Sequence, residues 1–194
     1  MKIPLTKDYN FGSSRILTCR IPDHKNWISV ILKQIKNRRE KFRYSHKING
    51  RWENKYLSVN EVPSIRLPMR LARDLVKRKW NISAVVLFEP VKNFHNQLPP
   101  FWFNIMEKGE KTGIHSHAKL ANFSAVVYIQ CDQDSGDLFF TQDSEEDFSI
   151  KPEMGKMVIF PSSLKHGVQL NKSFQKRISL AFNLFPFPLP NEEW

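Results

Sequence analysis

Cysteine is nearly absent from this chain, with Cys19 and Cys131 the only two among 194 residues. Two cysteines cannot build a disulfide framework, and their separation lacks the paired spacing of a thiolate zinc site, so both are expected to be reduced and structural. Glycine is also scarce, at 7 residues against 15 phenylalanines and 5 tryptophans. That balance excludes a disordered or linker-dominated chain and favours bulky, β-rich packing. Long hydrophobic runs are missing too. The amino terminus, MKIPLTKDYN, has no apolar stretch after its first lysine. Neither a secretory signal nor a membrane-spanning helix is therefore expected, and the expected location is the cytoplasm. With 41% hydrophobic residues, residues 1–194 support one well-packed domain and are short for two.

Acidic residues are sparse over one stretch in particular. Between Lys33 and Lys79, fifteen basic residues stand against Glu40, Glu53, Glu61 and Asp74, so this window carries the whole formal excess of +11. The remainder is neutral, with an acidic cluster of its own from Asp132 to Asp147. Such a window is either a pair of solvated helix faces or a surface for an anionic substrate or partner.

Residue patterning changes near position 80. Pro22-Asp23 followed by Trp27, Val30, Ile31 and Ile35, and Pro63 followed by Leu67, Leu71, Leu75 and Val76, predict two amphipathic helices over roughly 23–41 and 63–79. The segment between them, Phe42–Leu57, mixes large aromatics with charge and suits a strand pair or an ordered loop. From Ser83 onward come short apolar runs bounded by turn residues: 84–88, 101–106, 123–129, 137–141, 157–160 and 178–185. These read as antiparallel strands, giving a mainly β (α+β) protein with helices outside a sandwich or barrel. Residues 1–82 form the helical, substrate-shaping region and 83–186 the β core. Phe185-Pro186-Phe187-Pro188-Leu189-Pro190 cannot continue a central strand, because proline offers no N–H to the ladder.

Three histidines carry the chemistry. In His115-Ser116-His117 an extended backbone points both imidazoles to one side, toward a single metal ion at about 2.1 Å. An isolated pair of this kind is also common on surface strands. About fifty residues on, Gly155-Lys156-Met157-Val158-Ile159-Phe160-Pro161 leads through a corner to His166 at the start of another strand. His166 supplies a third vertex that leaves open positions on the metal, the competing reading being a core histidine bonded to a carbonyl. In Lys176-Arg177-Ile178-Ser179-Leu180-Ala181-Phe182, alternation sends Ile178, Leu180 and Phe182 to one face and Arg177, Ser179 and Ala181 to the other. Eleven residues after His166, Arg177 is expected to face a polar cavity, where its planar guanidinium suits a carboxylate.

The stretch from Phe101 to Asn183 resembles the double-stranded β-helix, a jelly-roll or cupin-like barrel, of the 2-oxoglutarate and Fe(II)-dependent oxygenases, and in particular their small prolyl-hydroxylase-like members. The resemblance rests on His115-x-His117, Val126-Val127-Tyr128-Ile129, Ser135-Gly136-Asp137-Leu138-Phe139-Phe140, Pro152-x-x-Gly155-x-Met157-Val158-Ile159-Phe160-Pro161, His166-x-Val168 and Arg177-Ile178-Ser179. It implies that His115 and His166 bind iron, that Arg177 and Ser179 hold the distal carboxylate of 2-oxoglutarate, and that Tyr128 adds a hydrogen bond to that carboxylate. It further implies Fe(II), 2-oxoglutarate and O2 as cofactor and cosubstrates, and hydroxylation with release of succinate and CO2. One departure stands out, since His117 occupies the place of the family's usual acidic ligand. His117 completes a three-histidine site, or Asp137 or another acid of the 132–137 turn does so, or water takes the position.

Two other readings compete. A three-histidine cupin dioxygenase shares the histidine pattern, but its usual glutamate is missing from Ala118–Asn122 and it has no use for Arg177. A basic nucleic-acid-binding module without catalysis explains the charged window through phosphate contacts, but not the aligned polar residues of a β core. The favoured partners are a small molecule or peptide, an amino acid or other carboxylate-bearing compound among them, with no membrane. Arg51, Trp52, Glu53, Asn54 and Tyr56 are the segment expected to border the mouth of the barrel.

Overall fold

A computed structural model describes residues 4–48, 51–90, 98–117, 121–142 and 145–189. Two strands open the chain, β1 (Thr6–Phe11) and β2 (Ser14–Arg20), followed by helix α1 (His24–Lys36), the hairpin β3 (Arg43–Ile48) and β4 (Arg51–Tyr56), and helix α2 (Arg66–Trp80). Nine more strands follow: β5 (Ala84–Val85), β6 (Phe101–Met106), β7 (Thr112–His115), β8 (Phe123–Gln130), β9 (Leu138–Gln142), β10 (Glu145–Ile150), β11 (Lys156–Pro161), β12 (Lys165–Val168) and β13 (Arg177–Pro186). Every recorded pairing is antiparallel. A large sheet runs β1-β2-β11-β8-β13-β6-β4-β3, with β5 paired to β13, and a small sheet runs β10-β9-β12-β7.

The alternation of side chains along the large sheet builds two cores. Leu17, Met157, Ile159, Ala125, Val127, Leu180 and Phe182 face α1 and α2, which answer with Trp27, Ile31, Ile35, Leu71, Leu75 and Val76. Residues one step along the same strands, Ile16, Val158, Phe160 and Tyr128, turn inward and meet Leu138, Phe140 and Ile150 of the small sheet. The helices therefore cover the outer face of a β-sandwich whose inner face is free to hold a site. This is the architecture expected of a double-stranded β-helix with helices outside.

Local differences from the sequence expectation have identifiable causes. Helix α1 ends at Lys36 rather than near 41, because Asn37 to Lys41 offers no apolar side chain to bury. Only a short 3-10 turn, Arg39–Lys41, follows. The undecided segment from Phe42 to Leu57 forms the hairpin β3–β4, and β4 joins the sheet through Lys55 opposite Phe103. The boundary at residue 82 does not separate helices from sheet: β2 pairs with β11, and β1 to β4 extend the large sheet at both ends. Those N-terminal strands escaped recognition because Thr6–Phe11 alternates weakly and stands mostly outside the core. Strand β13 continues through Pro186, but there it pairs with the two-residue β5, so the proline sits at a sheet margin where its missing donor is tolerated.

Candidate active site

Strands β7 and β12 lie side by side and set His115 directly opposite His166. His117 follows just past the end of β7, where its backbone N–H donates to the Ser162 carbonyl at 2.9 Å. Ring centroids are 4.4 Å apart for His115 and His166, 5.0 Å for His115 and His117, and 5.5 Å for His117 and His166. One nitrogen from each ring lies within 4.8 Å of the others. Asp137 lies outside that group: just before β9, its backbone carbonyl accepts the Gln169 N–H at 2.9 Å.

Local backbone chemistry orients two of the rings. His115 Nδ1 is 2.8 Å from the Gly113 carbonyl and His166 Nδ1 is 2.9 Å from the Leu164 carbonyl. A carbonyl only accepts, so Nδ1 carries the proton in each neutral ring and Nε2 keeps its lone pair for a metal. Burial, reinforced by the neighbouring histidines, pulls His166 down to about 3 and His117 down to about 4. Both are therefore neutral near pH 7, the state in which imidazole binds a metal. Trp102 packs edge-on against His117 with centroids 5.6 Å apart. Between His166 and Val168 only glycine fits, since a Cβ on Gly167 would lie 2.7 Å from the Phe139 ring and 3.0 Å from the Thr112 carbonyl oxygen.

Arg177, at 0% exposure, is among the largest fully buried side chains. Its Nη1 donates to Ser179 Oγ at 3.1 Å and lies 3.8 Å from Met106 Sδ, while its guanidinium carbon sits 5.1 Å from the centre of the Tyr128 ring. Nε and Nη2 have no hydrogen-bond partner, and neither do Tyr128 Oη and Thr112 Oγ1; these are the four such buried side-chain atoms among the described residues. Buried polar groups are ordinarily satisfied, and a buried cation without a counter-charge is costly. Arg177, with the Tyr128 ring against it, is complementary to an anion with several acceptor oxygens, such as a carboxylate. Burial raises the Tyr128 phenol to about 12, so it remains an O–H donor at neutral pH.

Arg177, Ser179 and Thr112 share with the three histidines the wall of one cavity of about 550 Å³, large enough for a small ligand and part of a second. Tyr128 packs in the inner core behind this wall. Thr112 was not singled out by sequence, because it stands three positions before His115 and strict alternation puts them on opposite faces. A β-bulge explains the discrepancy: His166 pairs with His115 and Val168 with Thr112, so three steps on β7 match two on β12. The hairpin β3–β4 does border the cavity, through His46, Glu53, Asn54 and Tyr56. The lysines and arginines of the basic window do not: among the described residues, Arg177 is the only lysine or arginine lining it.

Sequence comparison with curated proteins gives no match. A family model described as putative 2OG-Fe(II) oxygenase matches residues 141–183, which include His166, Arg177 and Ser179. Solved structures agree over far more of the chain. A Pseudomonas putida prolyl-4-hydroxylase is 13% identical, with a TM-score of 0.64 over 88% of this chain and 92% of its own. A Trichoplax adhaerens prolyl hydroxylase, in complex with a hypoxia inducible factor oxygen degradation domain peptide fragment, is 13% identical, with a TM-score of 0.65 over 88% of this chain and 83% of its own. The epimerase SnoN from nogalamycin biosynthesis, described as non-heme and alpha ketoglutarate dependent, is 11% identical, with a TM-score of 0.62 over 87% of this chain and 76% of its own. The chain thus has the fold of the 2-oxoglutarate/Fe(II)-dependent oxygenases, a family that uses Fe(II), 2-oxoglutarate and O2, and resembles that family in sequence along the segment bearing His166, Arg177 and Ser179.

Proposed function

We propose that this protein is a 2-oxoglutarate- and Fe(II)-dependent hydroxylase, with His115, His117 and His166 holding the metal and Arg177, Ser179 and Tyr128 holding the cosubstrate. The observation that carries this reading is the buried Arg177, with two unpartnered nitrogens at the wall of the cavity that the three histidines share. The donor set fits the metal: three imidazoles on a cavity wall, two of them fixed by carbonyls, leave coordination positions free for other ligands. The orphaned donors fit the distal carboxylate of a dicarboxylic cosubstrate.

Bound at this site, Fe(II) with 2-oxoglutarate and O2 supplies the oxidising power to break a substrate C–H bond and return a hydroxyl, with succinate and CO2 released. The chain's own part is alignment and exclusion of water. Arg177 and Ser179 grip one end of the cosubstrate, the Tyr128 hydroxyl donates toward the same carboxylate, and the bulge of β7 turns Thr112 toward it. Trp102 shields one side of His117. Three neutral imidazoles bring no negative charge to the metal, so the anionic cosubstrate supplies the counter-charge that an acidic ligand ordinarily shares.

A small molecule or peptide is the proposed substrate class. The peptide bound by the Trichoplax adhaerens prolyl hydroxylase supports it. Related folds are described as an epimerase and a carbocyclase, so hydroxylation needs its own readout, the gain of one oxygen atom in the product. The protein loaded with Fe(II) should convert 2-oxoglutarate to succinate, measured by mass spectrometry. Absence of 2-oxoglutarate-dependent succinate with Fe(II) fully bound rejects the proposal. Oxygen consumption without any need for 2-oxoglutarate would instead support a three-histidine dioxygenase, the alternative that the all-histidine donor set favours.

A further inference from the structure

We infer that His46 presents a fixed Nε2–H donor to the substrate chamber and reads a neutral, peptide-type carbonyl oxygen. The inference rests on the oxygenase reading for the word substrate, but the geometry behind it is independent of the metal. It begins at Asn104 on β6, directly across from Ser179 on β13. Asn104 Nδ2 donates to the Glu53 backbone carbonyl at 3.0 Å. A carbonyl can only accept, so this contact fixes which end of the Asn104 amide carries the hydrogens. The same nitrogen lies 3.3 Å from Asn54 Oδ1, which fixes Asn54 in turn. Asn54 Nδ2 then points its hydrogens at His46 Nδ1, 3.2 Å away. Facing the Asn54 amide donor, Nδ1 is the unprotonated nitrogen, and the neutral ring keeps its hydrogen on Nε2. Ser45 Oγ, 2.7 Å from the same Nδ1 and 3.0 Å from Tyr56 Oη, is compatible with that tautomer, since its hydroxyl can donate to the ring while accepting from tyrosine.

This relay crosses three neighbouring strands in sheet order, β6-β4-β3, and its first residue, Asn104, stands in register beside Ser179 on β13. His46 is itself held in the left-handed region at φ 57° inside β3, a conformation that costs energy for a residue with a Cβ and is concentrated at functional positions. His46, an exposed residue, is among the residues that line the cavity, as are Trp102 and Asn104. The character of the acceptor follows from the rest of that wall. Glu53 and Glu89 line it, and Arg177 is its only lysine or arginine among the described residues, so a carboxylate or phosphate is disfavoured there while an uncharged carbonyl is not.

The test has two arms. Long-range nitrogen–proton NMR on the zinc-loaded protein, zinc being diamagnetic, reads the ring directly, with the His46 signals assigned by their loss in His46→Gln. An Nε2–H tautomer at neutral pH is expected, and Asn54→Asp, which turns the donor at Nδ1 into an acceptor, should move the hydrogen to Nδ1. An Nδ1–H tautomer or an imidazolium in the unsubstituted protein overturns the inference. The second arm adds a mixture of capped random tetrapeptides to the Fe(II)-loaded protein and compares peptide-stimulated with unstimulated succinate formation. That ratio should fall about tenfold in His46→Phe, as expected for one lost hydrogen bond, and recover in His46→Gln, whose amide nitrogen supplies a donor near the position of Nε2. An equal ratio in both variants, or no stimulation of the unsubstituted protein, overturns it. Failure to form any succinate in the unsubstituted protein would count against the oxygenase reading instead, and leaves the tautomer measurement decisive for His46.

Discussion

Replacing Arg177 with methionine should make the ligand-free protein more stable and abolish its response to 2-oxoglutarate. The guanidinium is fully buried and leaves Nε and Nη2 without partners, at a penalty of about 1–3 kcal/mol for each unsatisfied donor. Against this stand its bond to Ser179 and its contact with the Tyr128 ring, together about 2–4 kcal/mol. Methionine fills much of the same volume without a charge, so at the middle of these ranges relief of the two orphaned donors leaves a net gain of about 1 kcal/mol. In a domain of this size that raises the melting temperature by about 2–4 °C. With Mn(II) bound under anaerobic conditions, 2-oxoglutarate at about 100 times its dissociation constant should stabilise the unsubstituted protein by about 2.7 kcal/mol. The variant should show no such increment. Differential scanning calorimetry with and without the cosubstrate measures both effects. A variant that melts several degrees lower, or that keeps the ligand increment, refutes the idea that Arg177 is held in readiness for an anion.

Other outcomes follow from the same geometry. Thr112→Val removes an unpartnered hydroxyl and should leave folding intact while weakening 2-oxoglutarate binding about fivefold to tenfold, read by calorimetric titration. Gly167→Ala drives a methyl into the Phe139 ring and the Thr112 backbone, and should cost about 1–3 kcal/mol in chemical denaturation. His117 and His166 titrate near 4 and 3 when folded, below the ordinary 6.5. The unfolded chain therefore binds their protons first, and the metal-free protein should lose stability as pH falls from about 6.5 toward 4. Thermal melts across that range check it, and a flat profile would contradict it. His117→Asp restores a carboxylate among the ligands and should retain Fe(II) binding, whereas His166→Ala should lose it, as followed by equilibrium dialysis.

Most of the barrel was legible in the sequence because its strands are short apolar runs with clear alternation, and Arg177, Ser179 and Ala181 face the cavity as alternation requires. His115, His117 and His166 also come together as their spacing suggests. What escaped was whatever strict alternation cannot express. The bulge in β7 brings Thr112 round to the site against parity. Strand β2 gains its stability from pairing with β11, a contact far away in sequence, and β1 is held in turn by β2. His46 takes its significance from amide orientations relayed across three strands, and no local pattern announces that.

The large sheet ends on β1 and β3, and each terminal strand leaves a row of backbone donors and acceptors open to another chain. On β3 the exposed Arg43 and Lys47 stand along that margin, so two copies approaching edge to edge would bring like charges together. Part of the positive excess between Lys33 and Lys79 would thus weigh against association between molecules at a hairpin that borders the substrate chamber.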